Sequence, residues 1–244
     1  MRSSRALTLL LLALVSGAAW VARTSAQQPN TAVVAGTVSV RTQSSAAAAD
    51  RSDVVVWLTP QGDTPRPPRT TSPRRFRIDQ KDKTFMPHVL VVPTGSFVDF
   101  PNLDPIFHNV FSLFDGRRFD LGLYEAGTTR GVHFTRPGVC YVFCNIHPEM
   151  SAVVVVVDSP YFASSTSAGA FTIADVPQGR YRLSVWHERF RPEDPAEFPK
   201  DVTVGTGATP LPTIRLVEAS RVPTAHKNKF GHDYLPPAAG PVYP

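Results

Sequence analysis

A thiol, an imidazole and a thioether fall within one seven-residue stretch, Cys144-Asn145-Ile146-His147-Pro148-Glu149-Met150. That mixture suits a metal ion alternating between Cu(I) and Cu(II). Thiolate and imidazole nitrogen give strong bonds, and a thioether adds a weak axial contact that tunes the potential. A further ligand must come from elsewhere in the chain. His108, in Asn102-Leu103-Asp104-Pro105-Ile106-Phe107-His108-Asn109-Val110, is the candidate, placed in a loop directly after a strand at Phe97–Phe100. Each residue alone has a plainer reading, since a lone histidine is more often structural and a lone strand cysteine is a small core residue. Zinc suits the set poorly, because it prefers a fourth Cys, His, carboxylate or water to methionine.

Short strands must position these residues. Candidates are Val33–Val40, Val54–Leu58, Phe76–Ile78, Val89–Val92, Phe97–Phe100, Val132–Phe134, Val139–Cys144, Ala152–Val157, Phe171–Ile173, Tyr181–Trp186, Val202–Val204 and Thr213–Leu216, separated by turns such as Pro93-Thr94-Gly95 and Pro137-Gly138. Ala46 to Ala49 reads as loop, and no long segment has helical periodicity. Many short strands with Gly/Pro turns predict an all-β sandwich or barrel. Along the strand Val139–Cys144, Cys140 and Cys144 lie roughly 13 Å apart, beyond the reach of a disulfide. Both sulfurs are expected to stay unbridged, with Cys140 filling the core on the face shared with Val142 and Cys144.

In sequence order, Phe85-x-Pro87, Val92-x-x-Gly95, Val98-x-Phe100-x-Asn102-x-Asp104-x-x-x-His108-Asn109-Val110, Pro137-Gly138 and Cys144-x-x-His147-x-x-Met150 resemble the cupredoxins. The final spacing is similar to amicyanin; plastocyanin and pseudoazurin use a longer one. This resemblance covers roughly residues 76–158. It implies an eight-stranded Greek-key sandwich with one type 1 (blue) copper per chain on His108, Cys144, His147 and Met150. It also implies one-electron transfer, and hydrogen bonds from Asn109 that tie the two ligand loops together. A second comparison weighs Cys140. Cys-x-x-x-Cys before His and Met is similar to the dinuclear copper site of cytochrome oxidase, but that site has one more residue between its second Cys and its His. There both thiolates share a loop, whereas Cys140 falls within a strand.

Gly169 to Leu183 (GAFTIADVPQGRYRL) resembles the carboxypeptidase regulatory-like, transthyretin-like sandwich, and Gly36-Thr37-Val38 with Val54–Leu58 fits its opening strands. The expected organisation is a signal peptide at 1–26 and a second small β-sandwich formed by 32–60 with 160–217. A Pro/Arg-rich linker at 61–74 and a cupredoxin domain at 75–158 are nested inside that sandwich, and a tail fills 218–244. The tail is expected to be disordered or laid along the surface. Trp57, Tyr181 and Trp186 are the candidates for stacking on carbohydrate, with core packing as the equal alternative.

Arg2 and Arg5, the apolar run Leu7 to Val15 and the small residues Thr24-Ser25-Ala26 read as an export signal. No later run is long and apolar enough to be a transmembrane helix. The expected location is therefore periplasmic or otherwise extracytoplasmic. Removing Arg2, Arg5 and Arg23 from the 25 basic residues leaves 22 against 20 acidic ones, which gives no basis for nucleic-acid binding. The basic cluster from Arg66 to Lys83 is interleaved with prolines and reads as a solvated linker. No Ser/His/Asp set or phosphate loop is evident, so an enzyme is not expected. The expected partner is a redox protein met transiently at an apolar rim of Pro105, Ile106, Phe107 and Pro148, with His147 the ligand nearest solvent. The alternative is a copper-binding or delivery protein, or a carbohydrate-associated surface module, without an electron-transfer role. His88, His133 and His187 read as surface or structural, and His226 and His232 as adventitious metal binders.

Overall fold

The computed structural model describes residues 31–42, 45–48, 50–66, 73–113, 117–191, 194, 196–218 and 226–234. The expected signal segment and parts of the expected linker and tail lie outside them. Among the described residues there are strands and no helix. The chain opens with β1 (Thr31–Thr42), β2 (Ser45–Ala48) and β3 (Val55–Pro60). It continues through β4 (Arg75–Arg77), β5 (Asp79–Lys81), β6 (Thr84–Met86), β7 (Val89–Pro93), β8 (Ser96–Pro101), β9 (His108–Ser112), β10 (Phe119–Tyr124), β11 (Thr129–Phe134), β12 (Gly138–Phe143) and β13 (Ser151–Val157). It closes with β14 (Phe162–Ser164), β15 (Ala170–Pro177), β16 (Gly179–Trp186), β17 (Ala196–Glu197), β18 (Asp201–Val204), β19 (Gly207–Pro210) and β20 (Ile214–Glu218).

Two pairs of sheets enclose two cores. In the first pair, a five-stranded sheet ordered β10-β9-β12-β13-β7 faces a three-stranded sheet ordered β11-β8-β4. Ile78, Phe85, Val98, Phe100, Val110, Phe134, Cys140, Val142, Cys144 and Met150 fill the space between them. In the second pair, β15-β1-β20-β17 faces β14-β3-β16-β18, around Val34, Val38, Val56, Leu58, Phe171, Ile173, Tyr181, Leu183, Ile214 and Leu216. Among the described residues, apart from the β1–β2 pairing, β1 and β3 pair only with strands later than residue 160.

The unbroken apolar run of β13 follows from burial on both of its faces. Strand side chains alternate in direction. Ala152, Val154 and Val156 enter the first core, while Val153, Val155 and Val157 join Val55 and Val89 in a third cluster. Trp57, Val139, Tyr141, Phe162 and Trp186 pack against that cluster, so the outer face of the five-stranded sheet is covered by the β3–β16 layer. A strand buried on both sides has no polar face to alternate with, and its sequence shows none.

Three expectations are corrected here. Ser45–Ala48 is not loop but β2, antiparallel to the end of β1. Alanines have little strand propensity of their own, and pairing with an existing strand overrides it. His108 does not sit in a loop; it opens β9, opposite Tyr124 of β10. All five residues of β9 are buried, so the alternation that marks a half-exposed strand is missing. Cys144 lies just past β12 rather than within it.

Candidate metal centre

The loop before β9 is built around Asn102 and Asp104. The buried Asn102 side chain donates to the carbonyls of Ile106 (2.7 Å) and Tyr124 (3.2 Å) and accepts from the Asp104 N–H (3.0 Å). This local turn directs Asp104 inward. The Asp104 carboxylate accepts the backbone N–H groups of Asp82 (2.6 Å) and Lys83 (2.9 Å) and sits 2.7 Å from His108 Nε2. Asp82 and Lys83 both have positive φ, at 53° and 55°, as a tight β5–β6 hairpin requires. Burial works against the Asp104 charge, but the N–H of Lys83, the His108 ring and the N–H of Asp82 outweigh it and hold the carboxyl below its usual range. With Nε2–H donated to Asp104, His108 presents Nδ1 as a lone pair.

The second segment is a closed loop. The Cys144 N–H donates to the Met150 carbonyl (3.2 Å), and the Met150 N–H donates to the His147 carbonyl (3.1 Å). His108 Nδ1 and His147 Nδ1 lie 3.1 Å apart, and Cys144 Sγ is 4.0 Å and 3.6 Å from them respectively. His108, Cys144 and Met150 are fully buried, while His147 is partly exposed. Burial, then the nearby charges of His108 and Lys83, hold the His147 imidazole down at about 4, so its ring is neutral near pH 7. Burial raises the Cys144 thiol, against the backbone N–H groups of Asn109, Ile146 and His147 directed at the sulfur. Those three donors are suited to a thiolate.

Cys140 and Cys144 are both free. The buried Cys140 thiol meets Ser112 Oγ (3.3 Å) and the Arg117 carbonyl (3.5 Å), and burial pushes it up to about 11. It stands outside the group His108, Cys144, His147, whose ligand atoms lie within 4.8 Å of one another. Asn109 reaches the Cys144 loop through its backbone and not its side chain. Its backbone N–H faces the Cys144 sulfur, but its side-chain amide donates to Asp120 (2.7 Å), and its buried Oδ1 has no partner.

Among the rim residues, Pro105, Phe107 and Pro148 are exposed and Ile106 is half-buried. Phe107 is 49% and Ile146 36% exposed. Three other histidines lie outside the donor group. His133 stacks on Phe97 with centroids 4.3 Å apart, His88 pairs with Glu188 at 2.8 Å, and His187 is buried. Tyr181 is fully buried and cannot stack on a ligand; Trp57 and Trp186 pack on the cluster between the sandwiches.

Sequence reasoning quoted Asp104 within a motif but gave it no role. Its place four residues before His108 was the available signal. It also missed Tyr234 and Lys229, which reach this centre from the tail: Tyr234 Oη donates to the Cys144 carbonyl (2.6 Å), and the Lys229 N–H donates to Asn145 Oδ1 (2.9 Å). No local pattern marks them.

No family model matches the chain, and no curated protein does. Similar solved structures include the copper-containing nitrite reductase from Thermus scotoductus SA-01, at 25% identity over 35% of this chain and 23% of that one, with a TM-score of 0.34. The purple cupredoxin from Nitrosopumilus maritimus is 23% identical over 34% of this chain and 99% of its own, with a TM-score of 0.31. An amicyanin variant in its Cu(I) form is 18% identical over 42% of this chain and 98% of its own, with a TM-score of 0.33. The match thus spans less than a quarter of the nitrite reductase and nearly all of the two small proteins.

Proposed function

We propose that this chain binds one type 1 copper through His108 Nδ1, Cys144 Sγ, His147 Nδ1 and the Met150 thioether, and serves as a one-electron carrier outside the cytoplasm. The observation that carries the reading is the convergence of two imidazole nitrogens and a thiol sulfur at 3.1, 3.6 and 4.0 Å. Donors bound at about 2.0–2.3 Å to one ion at trigonal angles stand roughly 3–4 Å apart, so the three atoms have the spacing of a shared metal. Two imidazoles, a thiol and a thioether are the donor set of a blue-copper site, and Met150 is buried in the same closed loop as Cys144. When bound, copper supplies the one-electron chemistry, the electron passing to or from a partner protein.

The residues around it serve that role. Asp104 fixes the tautomer of His108, and the N–H groups of Asn109, Ile146 and His147 face the sulfur. Enclosure of Cys144 and Met150 keeps water away, while the partly exposed His147 among apolar rim residues offers an edge for a transient contact, which need bury less than about 1,200 Å². We read the protein as a carrier rather than an enzyme. Export is inferred from residues 1–26. No described helix is long and apolar enough to cross a membrane. We further read residues 32–60 with 160–217 as a unit into which 75–158 is inserted, on the pairing of β1 and β3; its kinship to carboxypeptidase regulatory-like sandwiches rests on the Gly169–Leu183 motif.

The test is a visible and paramagnetic resonance spectrum of the oxidised, copper-loaded protein. An intense thiolate-to-copper band with narrow copper hyperfine splitting is expected. Cys144→Ser abolishes the band and Cys140→Ser keeps it. Colourless protein after full loading overturns the reading, and loss of the band in Cys140→Ser replaces it with a site that uses both thiols.

A further inference from the structure

Residues 226–234 lie against the Cys144–Met150 segment of the metal centre and also reach Asp120 of β10. The Tyr234 hydroxyl, besides donating to the Cys144 carbonyl at 2.6 Å, meets His226 Nδ1 at 3.2 Å. The His226 ring stacks on Phe143, with centroids 4.0 Å apart. The Lys229 N–H donates to Asn145 Oδ1 at 2.9 Å. Cys144 and the residues on either side of it are therefore all held by the tail. Lys229 Nζ also reaches Asp120 Oδ2 at 2.6 Å. The other oxygen of Asp120 accepts from Asn109, whose own N–H faces the Cys144 sulfur. The segment has a defined shape of its own. Asn228 Oδ1 accepts from the N–H groups of Phe230 (2.9 Å) and His232 (3.1 Å), and Gly231 has a φ of 79°.

We propose that residues 226–234 form a strap that positions the Cys144–Met150 ligand loop and tunes its metal, with Tyr234 and Lys229 as positioning residues. The tuning half rests on the copper reading above; the positioning half does not. A hydroxyl proton on the Cys144 carbonyl weakens the negative end of that dipole beside the ligand sulfur. The more highly charged oxidation state is thereby disfavoured, and the reduction potential is raised. The strap also covers the Phe143 and Asn145 side of the loop, and its His226 ring reaches the Pro148 carbonyl.

The positioning half is tested on metal-free protein in a Cys140→Ser background. Cys144 is fully buried, so a neutral thiol reagent reaches it only through local opening. Loss of the Tyr234 hydroxyl in Tyr234→Phe, or of the Asn145 Oδ1 acceptor for the Lys229 backbone N–H in Asn145→Ala, is expected to speed labelling about tenfold. A chain ending at Glu218 is expected to label faster still. Unchanged labelling in both point variants overturns the strap, whatever happens to the shortened chain. In copper-loaded protein, Tyr234→Phe is expected to lower the potential while keeping the thiolate band. An unchanged potential there overturns the tuning. Protein that takes up no copper defeats the functional reading, and the labelling rates still decide the strap.

Discussion

The His108 ring is held by a carboxylate that is itself fully committed. Asp104 accepts from two backbone N–H groups and from His108 Nε2, with its own N–H bound to Asn102. An amide in its place must turn an N–H₂ group toward donors. Asp104→Asn is therefore expected to free the His108 ring and cost about 10–100-fold in metal affinity, the usual effect of losing the hydrogen-bond partner behind a ligand histidine. Competition with a chelator of known affinity measures this. The donors themselves were legible in the sequence, because Cys, His and Met within seven residues is a chemical pattern that needs no fold. Asp104 carried only its spacing from His108, since its role depends on the β5–β6 turn arriving with two N–H groups aimed at it.

At the scale of elements, turns with special backbone conformations fix which strands meet. Gly169 has a φ of 81°; its carbonyl accepts from the Val38 N–H at 2.7 Å, and a Cβ there would stand 2.3 Å from the Val38 carbonyl. Gly169→Ala combines left-handed strain with a backbone clash at the entry to β15. A loss of about 1–3 kcal/mol is expected, read as a shift in the chemical denaturation midpoint without a change in slope. The strands with clean alternation or dense apolar runs were visible in sequence. β9 was not, because it is buried throughout. β10 was not, because its register shifts between Asp120 and Leu123, around Gly122 with a φ of 68°. An irregular strand loses the period of two on which the sequence reading depends.

Across the whole molecule, the two cores meet at the cluster of Val55, Val89, Val153, Val155 and Val157, and at the pair His88–Glu188. Two neighbouring histidines give this region opposite pH responses. Burial, aided by Arg189, holds His187 at about 4 against its ordinary 6.5. Above pH 6.5 it is neutral in both folded and unfolded chains. As the pH falls from there toward 4, the unfolded chain takes up a proton that the folded chain does not, and stability declines by up to about 3 kcal/mol. His88 works the other way. Its hydrogen bond to Glu188 raises it, so its contribution is complete below 6.5 and fades as the pH rises through the raised value. That effect is small, since the His88 side chain is 44% exposed. Denaturation of metal-free protein at pH 7 and pH 4.5 is expected to show a smaller acid loss in His187→Asn than in the parent chain.

The sequence by itself determined the all-β character and the candidate donor set of His108, Cys144, His147 and Met150. Both are written in local terms: strand periods, turn residues, and soft ligands at close spacing. Tertiary structure decided the rest. It brought His108 to the Cys144 loop, 36 residues away in the chain, directed the Asn109 side chain to Asp120, and buried β13 on both faces. It also laid Tyr234 on a carbonyl 90 residues upstream. Such contacts depend on which sheet faces which and on where a segment without periodicity finds hydrogen-bond partners. Those choices are set by the packing of the whole chain, and no single stretch of residues encodes them.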